Sequence, residues 1–126
     1  MLVLDASGVS SLAQRSREAA ALIIALRKHD LWPPVVPAIV LVECLEGHVG
    51  RDARANQFLK TCKVVEATPE PLARRAAQLR RQAGRGSAVD ALVVAFAEPG
   101  GTALTSDLDD LEALAEYANQ VGVQRV

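Results

Sequence analysis

The feature of this sequence that most constrains its fold is the alternation of short aliphatic runs with longer segments of helical periodicity. The runs have the length and composition of buried strands and occupy residues 2–4, 35–36, 63–67, 102–105 and 122–126. Strands that alternate with helices form right-handed βαβ units, whose parallel sheets are covered by helices on both faces. The sequence therefore predicts a three-layer α/β/α fold with a short parallel sheet of four to five strands.

Helices are predicted between these strands from the spacing of apolar residues and from capping signals. The first is expected to begin near Ser10 or Ser11 and to end at His29, because the following Trp32-Pro33-Pro34 cannot continue a helix. Further helices are predicted over residues 38–46, 52–61, 69–83, 88–97 and 107–118. No linker or repeat interrupts this order, so residues 1–126 are predicted to form a single domain.

The composition limits both the core and the environment of the protein. Half of the residues are hydrophobic but only 3% are aromatic, so alanine, valine and leucine must fill the core. The formal net charge of -1 predicts no overall attraction to nucleic acid, although it does not exclude a local basic patch. Cys44 and Cys62 lack CxxC spacing, which favours two buried, reduced thiols over a disulfide or a zinc site. Because neither a signal peptide nor a bilayer-spanning stretch is recognisable, a soluble, cytoplasmic protein is expected.

Four acidic residues fall where an α/β fold places its functional sites. Asp5 ends the first predicted strand, and Asp107 follows the strand over residues 102–105, so both belong at the carboxyl edge of the sheet. Asp90 lies in the first turn of a nearly all-apolar helix, and Glu43 interrupts the apolar segment VLVECL. A carboxylate among apolar residues is costly unless it is paired or bound to a metal, and several converging carboxylates need a cation between them.

An oxygen-only donor set without histidine or cysteine favours Mg²⁺ or Mn²⁺ over Zn²⁺. Such a site is suited to phosphodiester hydrolysis, since a bound metal activates water and neutralises charge on the phosphate. Each acid also has a structural alternative. Asp5 and Asp90 have the positions of helix caps, Glu43 has Arg54 as a possible partner, and the acids within 107–110 suit the positive end of a helix dipole.

Four segments in order along the chain resemble the PIN domain, and specifically ribonuclease toxins of the VapC type. They are VLDAS at 3–7, VECL at 42–45, SAVDALVVAFA at 87–97 and LTSDLDDLEAL at 104–114. The resemblance implies that the metal-binding and catalytic acids are Asp5, Glu43, Asp90 and Asp107, with Asp109 as a further acid. It also implies that Ser7 and Thr105 support the site from behind the metal ligands. The implied partners are an RNA substrate, a VapB-like antitoxin and a second copy of the chain in a homodimer.

Basic residues near the acids are the candidates for holding RNA, because phosphates need cations nearby. We predict this role for Arg85, which lies just before the helix of Asp90, and for Arg81; a solvated helix face is the alternative. A receiver-type signalling domain is disfavoured because an acidic pair does not follow the first strand and the last third of the chain contains no lysine. A PIN-like module that binds or signals without catalysis stays open as the alternative to an endoribonuclease.

Overall fold

In the computed structural model, which describes residues 1–126, five strands alternate with seven helices. The strands are β1 (Leu2–Leu4), β2 (Val35–Pro37), β3 (Lys63–Val65), β4 (Thr102–Thr105) and β5 (Gly122–Arg125). The helices are α1 (Ala6–Ala13), α2 (Arg17–Lys28), α3 (Leu41–Cys44), α4 (Ala53–Leu59), α5 (Glu70–Ala83), α6 (Ala88–Ala97) and α7 (Leu108–Ala115), and a 3₁₀ turn over Ala38–Val40 precedes α3. β3, α4 and α7 are each a few residues shorter than predicted.

The strands form one fully parallel sheet in the order β3-β2-β1-β4-β5, which confirms the predicted α/β class. The chain moves outward from β1 to β2 and β3, then crosses back to β4 and β5 on the other side of β1. The reversal makes the boundary between β1 and β4 the topological switch point, where a crevice opens at the carboxyl ends of the strands.

The helices divide into two groups that cover the sheet. α1 packs against α2, α3 and α4 and against β1 and β4, whereas α6 packs against α5 and α7 and against β1, β2 and β4. Right-handed crossovers place these groups on opposite faces, which gives the predicted three layers. No helix in the protein combines the length and the apolarity that crossing a bilayer requires.

The core is built almost entirely from small and medium aliphatic side chains, as the composition predicts. Of the 24 residues in the buried hydrophobic cluster, Phe58 is the only one that is not alanine, valine or leucine. Phe58 meets the half-buried Trp32 edge-to-face, with ring centroids 6.2 Å apart. Both cysteines are free, and burial raises the pKa of the Cys62 thiol to about 11, so this thiol is neutral at physiological pH.

The prediction of one helix from Ser10 or Ser11 to His29 is wrong. Two helices occupy this region, and the first begins directly after Asp5, whose side chain caps it. The chain turns between the helices at Arg15, which has a left-handed φ of 57°. Ser16 then caps α2 by accepting a hydrogen bond from the backbone N–H of Ala19.

The prediction of a continuous helix over residues 38–46 is also wrong. This segment contains the 3₁₀ turn and the four-residue helix α3, which ends at Cys44 because Leu45 adopts an extended conformation. The turn of chain after α3 is organised by Asp52, a buried residue with 6% of its surface exposed. Its carboxylate accepts the backbone N–H groups of Glu46, Gly47 and His48 at 2.8–3.1 Å. These bonds, led by the one from Glu46, hold the pKa of Asp52 below its usual value.

Candidate functional site

The four acids predicted from the sequence line a single cleft at the topological switch point. The cleft has a volume of about 180 Å³ and forms where β1 and β4 end and α1, α6 and α7 begin. Its charged and hydroxyl-bearing lining residues are Asp5, Ser7, Glu43, Asp90, Asp107 and Asp110. Residues from distant parts of the chain therefore create a strongly acidic surface on a molecule whose formal net charge is only -1.

Asp5 is the most rigidly held acid of the cleft. The residue is 8% exposed, and Oδ1 accepts hydrogen bonds from the backbone N–H of Gly8 at 2.7 Å and the hydroxyl of Ser7 at 2.8 Å. Oδ2 accepts the hydroxyl proton of the buried Thr105 at 2.6 Å. Three donors thus satisfy the oxygens of a buried carboxylate, and they hold the Asp5 side chain in one place.

Ser7 and Thr105 connect β1 to the segment that follows β4. The Thr105 hydroxyl donates to Asp5 and accepts the backbone N–H of Asp107 at 3.0 Å, and the Ser7 hydroxyl accepts the backbone N–H of Ser106 at 2.9 Å. Both hydroxyls thus link Asp5 to the backbone that carries Asp107. The contacts are those expected of residues that position acids rather than bind a ligand themselves.

Asp90 and Asp107 cap helices and also line the cleft. Asp90 and Ser87 form a capping box at the start of α6, with two reciprocal hydrogen bonds of 3.0 Å. The bond from the Ser87 N–H uses Oδ2 of Asp90 and leaves Oδ1 without a partner in the chain. Asp107 caps α7 through a long bond of 3.4 Å from the N–H of Asp109 to Oδ1. Asp90 and Asp107 can therefore cap their helices and still present a carboxylate oxygen to the cleft.

The environment of Glu43 differs from the one that the sequence suggested. It lies on the short helix α3 and is exposed, and its neighbour Val42 is 75% exposed. The expectation of a costly carboxylate on a buried apolar face is wrong, because α3 is too short to present such a face. No ion pair joins Glu43 to Arg54. Its position in the cleft, rather than its burial, supports a role for Glu43.

The cleft suits a hard divalent cation by the chemistry of its donors. All the charged groups that line it are carboxylates, and neither histidine contributes to it. No three acidic, histidine or cysteine side chains are close enough together to enclose a metal ion in this structure. Mg²⁺ retains several water molecules and binds through one or two carboxylates, so it does not require a closed protein cage. The residues fit such an ion by type and by location.

Asp110 belongs to the cleft although sequence reasoning did not select it. Its Oδ1 accepts a hydrogen bond of 2.7 Å from Nε of Arg85, which lies in the connection between α5 and α6. This bond, reinforced by the charges of Asp110, Asp109 and Asp107, raises the pKa of Arg85. The side chain of Asp109 does not line the cleft, and the side chain of Arg81 is exposed and forms no hydrogen bond. Arg85 and Asp110 are 25 positions apart in the sequence, and no local sequence pattern indicates that they pair.

The largest cavity of the molecule lies elsewhere. It is an apolar groove of about 380 Å³ between α1, α2 and α4, and its lining includes Ile23, Trp32, Phe58 and the guanidinium groups of Arg15 and Arg27. No carboxylate lines this groove. Its size therefore does not make it a competitor for metal-dependent chemistry.

The parallel sheet and the acidic side chains that line the cleft at its switch point make this chain a small α/β protein with a carboxylate site. The family model of the PIN domain matches residues 2–117 of the chain. The chain belongs to the PIN domain family. None of the functionally characterised proteins compared with the chain matches it significantly in sequence.

Solved structures with the same fold cover nearly all of the chain. One is VapBC2 from Rickettsia felis bound to a DNA fragment from the VapBC2 promoter, with a TM-score of 0.69 at 10% sequence identity. The match covers 100% of this chain and 99% of the VapBC2 chain. FitAB bound to the IR36 DNA fragment has a TM-score of 0.65 at 23% sequence identity, and the match covers 99% of this chain and 94% of the FitAB chain. FitAcB from Neisseria gonorrhoeae has a TM-score of 0.64 at 22% identity, with coverages of 98% and 96%. At these identities the likeness shows the fold.

Proposed function

We propose that this protein is a metal-dependent endoribonuclease that hydrolyses RNA phosphodiester bonds, with Mg²⁺ as its ion and Mn²⁺ as a substitute. The observation that carries the proposal is the single cleft at the switch point of a PIN domain fold, lined by the acids of four separate elements. We assign metal binding and catalysis to Asp5, Glu43, Asp90 and Asp107. Asp109, which lies outside the cleft lining, is the weaker candidate for a further ligand.

The four acids have different tasks in this proposal. When bound, the metal supplies a water molecule of lowered pKa and neutralises charge on the phosphate. Asp5 is held by three hydrogen bonds and therefore serves as the fixed ligand, while the free Oδ1 of Asp90 is available in the same cleft. Glu43 is exposed on a short helix and can either bind the ion or orient the attacking water by accepting its proton.

The shape and composition of the protein favour recognition of the RNA backbone. A cleft of about 180 Å³ is smaller than the ~300–1,000 Å³ of pockets that enclose a drug-sized molecule, so it accommodates a phosphate group better than a nucleoside. Only 3% of the residues are aromatic, which leaves few surfaces on which bases can stack. Binding must therefore depend on cations near the cleft, and we assign this task first to Arg85 and second to Arg81.

We further propose that the protein is the toxin of a toxin–antitoxin pair and acts in the cytoplasm as a homodimer held by a VapB-like antitoxin. Two of the similar structures, VapBC2 and FitAB, are named as pairs of proteins and are bound to DNA fragments. Expression of the chain in bacteria should therefore arrest growth, and co-expression of its antitoxin should restore it.

The central experiment is cleavage of total RNA by the purified protein, free of antitoxin, in Mg²⁺ and in EDTA. We expect cleavage in Mg²⁺ alone, and a loss of about 100-fold or more for Asp90→Asn, because even partners of metal ligands contribute about 10- to 100-fold. Asn at this position can still accept the backbone N–H of Ser87, so the variant should fold. Asp5→Asn should also be inactive, but circular dichroism must show that it folds, because an amide cannot accept all three of the present hydrogen bonds.

Glu112→Gln is the matched control, because it removes one negative charge from α7 at a residue that does not line the cleft. Its cleavage rate should equal that of the wild type. Cleavage in EDTA, or full activity in both Asp5→Asn and Asp90→Asn, would refute the metal-dependent mechanism. RNA binding without cleavage would instead favour the alternative of a non-catalytic PIN-like module.

A further inference from the structure

The segment that carries Arg85 is held in place on both sides of this residue. Gly84 and Gly86 have left-handed φ angles of 67° and 94°, so the chain makes two sharp turns around Arg85. Nε of Arg80 donates a hydrogen bond to the carbonyl oxygen of Gly86 at 3.2 Å. A Cβ atom at Gly86 would approach Cδ1 of Leu114 to 2.8 Å, so α7 packs directly against this turn. The backbone of Arg85 is thus fixed relative to the cleft.

The side chain of Arg85 is also fixed, but only by one edge of its guanidinium. Nε donates to Oδ1 of Asp110 at 2.7 Å, and the two Nη groups form no hydrogen bond within the chain. Asp110 itself lines the acidic cleft. The side chains remain 54% and 41% exposed, so the outer edge of the guanidinium is open to a ligand at the rim of the cleft.

We propose that Asp110 is a positioning residue that holds Arg85 at the mouth of the cleft, where the free Nη groups of Arg85 bind a phosphate of the RNA strand. The inference rests on the proposed ribonuclease function and assigns Asp110 a task different from that of the other acids in the cleft. Its carboxylate binds a guanidinium rather than the metal ion. The Asp110–Arg85 pair therefore places one cation beside an otherwise acidic surface that phosphates would avoid.

The geometry of the guanidinium makes this arrangement specific for arginine. A guanidinium can donate from Nε to Asp110 and from its Nη groups to a phosphate at the same time, because its donors form a rigid planar fork. The three donors of a lysine ammonium lie on one atom at the end of a flexible stem, so a lysine would hold the two partners without the fixed geometry of the guanidinium. Exposed ion pairs contribute little to stability, so substitutions of Asp110 and Arg85 should leave the fold intact and report on function.

The experiment compares steady-state cleavage of a short RNA by the wild type and by Arg85→Ala, Arg85→Lys, Asp110→Asn and the Arg85→Ala/Asp110→Asn double variant. We expect KM to rise about 10-fold for Arg85→Ala, as for the loss of a hydrogen bond to a charged group, and the salt slope of binding to fall by about one. Arg85→Lys and Asp110→Asn should raise KM about 3- to 10-fold. The double variant should resemble Arg85→Ala, because Asp110 acts only through Arg85.

Binding of Mn²⁺, measured by calorimetry without RNA, separates positioning from metal binding. Asp110→Asn should bind Mn²⁺ as the wild type does, whereas Asp90→Asn should bind it more weakly. Arg74→Ala and Glu70→Gln are the matched controls. They break a similar exposed ion pair of 2.9 Å at the other end of α5, and their KM should not change.

Weaker Mn²⁺ binding by Asp110→Asn would overturn the inference and identify Asp110 as a ligand. An unchanged KM in Asp110→Asn, or in Arg85→Lys, would overturn it while leaving the proposed nuclease intact. A wild-type protein that neither binds nor cleaves RNA in Mg²⁺ would remove the proposed function and this inference with it.

Discussion

At the scale of single residues, the cleft depends on a hydroxyl group as much as on its charges. Thr105 is fully buried, and its hydroxyl is the one group that contacts both Asp5 and the backbone of Asp107. A buried carboxylate oxygen without a donor is costly, and so is a buried N–H without an acceptor. Thr105 therefore stabilises the acidic site through a side chain that has no charge of its own.

Replacing this hydroxyl should destabilise the protein far more than removing the adjacent methyl group. Thr105→Val leaves Oδ2 of Asp5 and the N–H of Asp107 without this partner, so we expect a loss of about 1–3 kcal/mol for each group. Thr105→Ser keeps both hydrogen bonds and should lose about 1 kcal/mol through the missing methyl group. Urea denaturation at pH 7 measures the difference. Equal losses in the two variants would show that packing, rather than the hydroxyl, determines the stability contributed by Thr105.

The residues of the site differ in how far local sequence reveals them. Asp5, Asp90 and Asp107 were predictable because strand ends and helix caps are set by neighbouring residues. The pairing of Arg85 with Asp110 was not, because it depends on how the connection between α5 and α6 packs against α7. A run of three acids within 107–110 looks uniform in the sequence, and only the fold separates the acid that caps from the acid that binds Arg85.

At the scale of elements, α6 combines an apolar body with a polar first turn. Its residues Val93, Val94 and Ala95 are buried, so the helix provides packing along its length, and its capping box lies at the edge of the cleft. The box consists of two hydrogen bonds with different consequences. Ser87 Oγ accepts the N–H of Asp90, which stabilises the helix, whereas Asp90 accepts the N–H of Ser87, which fixes an acid.

Stability and cleavage should therefore respond to different substitutions at this helix start. Ser87→Ala removes the cap acceptor and should cost about 0.5–2 kcal/mol of stability, while the contact from the backbone N–H to Asp90 remains. Cleavage by the folded variant should stay within about 2-fold of the wild type. Asp90→Asn should show the reverse, with nearly unchanged stability and a loss of cleavage of about 100-fold or more. Thermal melts and initial rates on the same preparations test this separation, and a parallel loss of both properties in Ser87→Ala would contradict it.

Two regions show why the sequence predicted helical structure correctly but misplaced where helices begin, break and end. The apolar residues of the sequence keep a helical spacing across the break between α1 and α2, and buried residues lie on both sides of it, Leu12 and Ala13 in α1 and Ala19 and Leu26 in α2. The break itself depends on the left-handed conformation of Arg15, which is uncommon for a residue other than glycine. α3 ends early because Asp52 organises the chain that follows it, and the apolar pattern of the sequence gives no sign that Asp52 accepts these backbone N–H groups.

At the scale of the whole molecule, one ion pair joins the helical layer of α5, α6 and α7. Arg75 on α5 donates from Nε and Nη2 to the two carboxylate oxygens of Glu98, each at 2.9 Å, and Glu98 lies just past the end of α6. Glu98 also accepts the backbone N–H of Asn119 at 2.8 Å, and Arg75 donates to the carbonyl of Tyr117. With only 9% of the Glu98 side chain exposed, this pair is better shielded than the other ion pairs.

The stability of the molecule should fall in acid partly through Glu98. Hydrogen bonding to Arg75, and then to Asn119, holds the pKa of Glu98 below its ordinary value of 4.5. A carboxyl whose pKa is lowered by folding stabilises the native state fully above its unfolded pKa, and that stabilisation is lost as pH falls through the folded pKa. Asp52, whose pKa is lowered by backbone N–H groups, adds to the effect in the same direction.

Glu98→Gln isolates this contribution, because its amide resembles the protonated carboxyl and every other acid is retained. We expect the variant to be less stable than the wild type by about 1–3 kcal/mol at pH 7, as for lost hydrogen bonds to a charged group. The difference should shrink as pH falls below 4.5 and approach zero once Glu98 is protonated in the folded protein. Glu70→Gln, at an exposed ion pair, should stay within about 1 kcal/mol at every pH. Urea titrations from pH 7 to about pH 3 measure the difference in the free energy of unfolding between Glu98→Gln and the wild type. If this difference stayed constant with pH, the pair would stabilise the protein through packing rather than through charge.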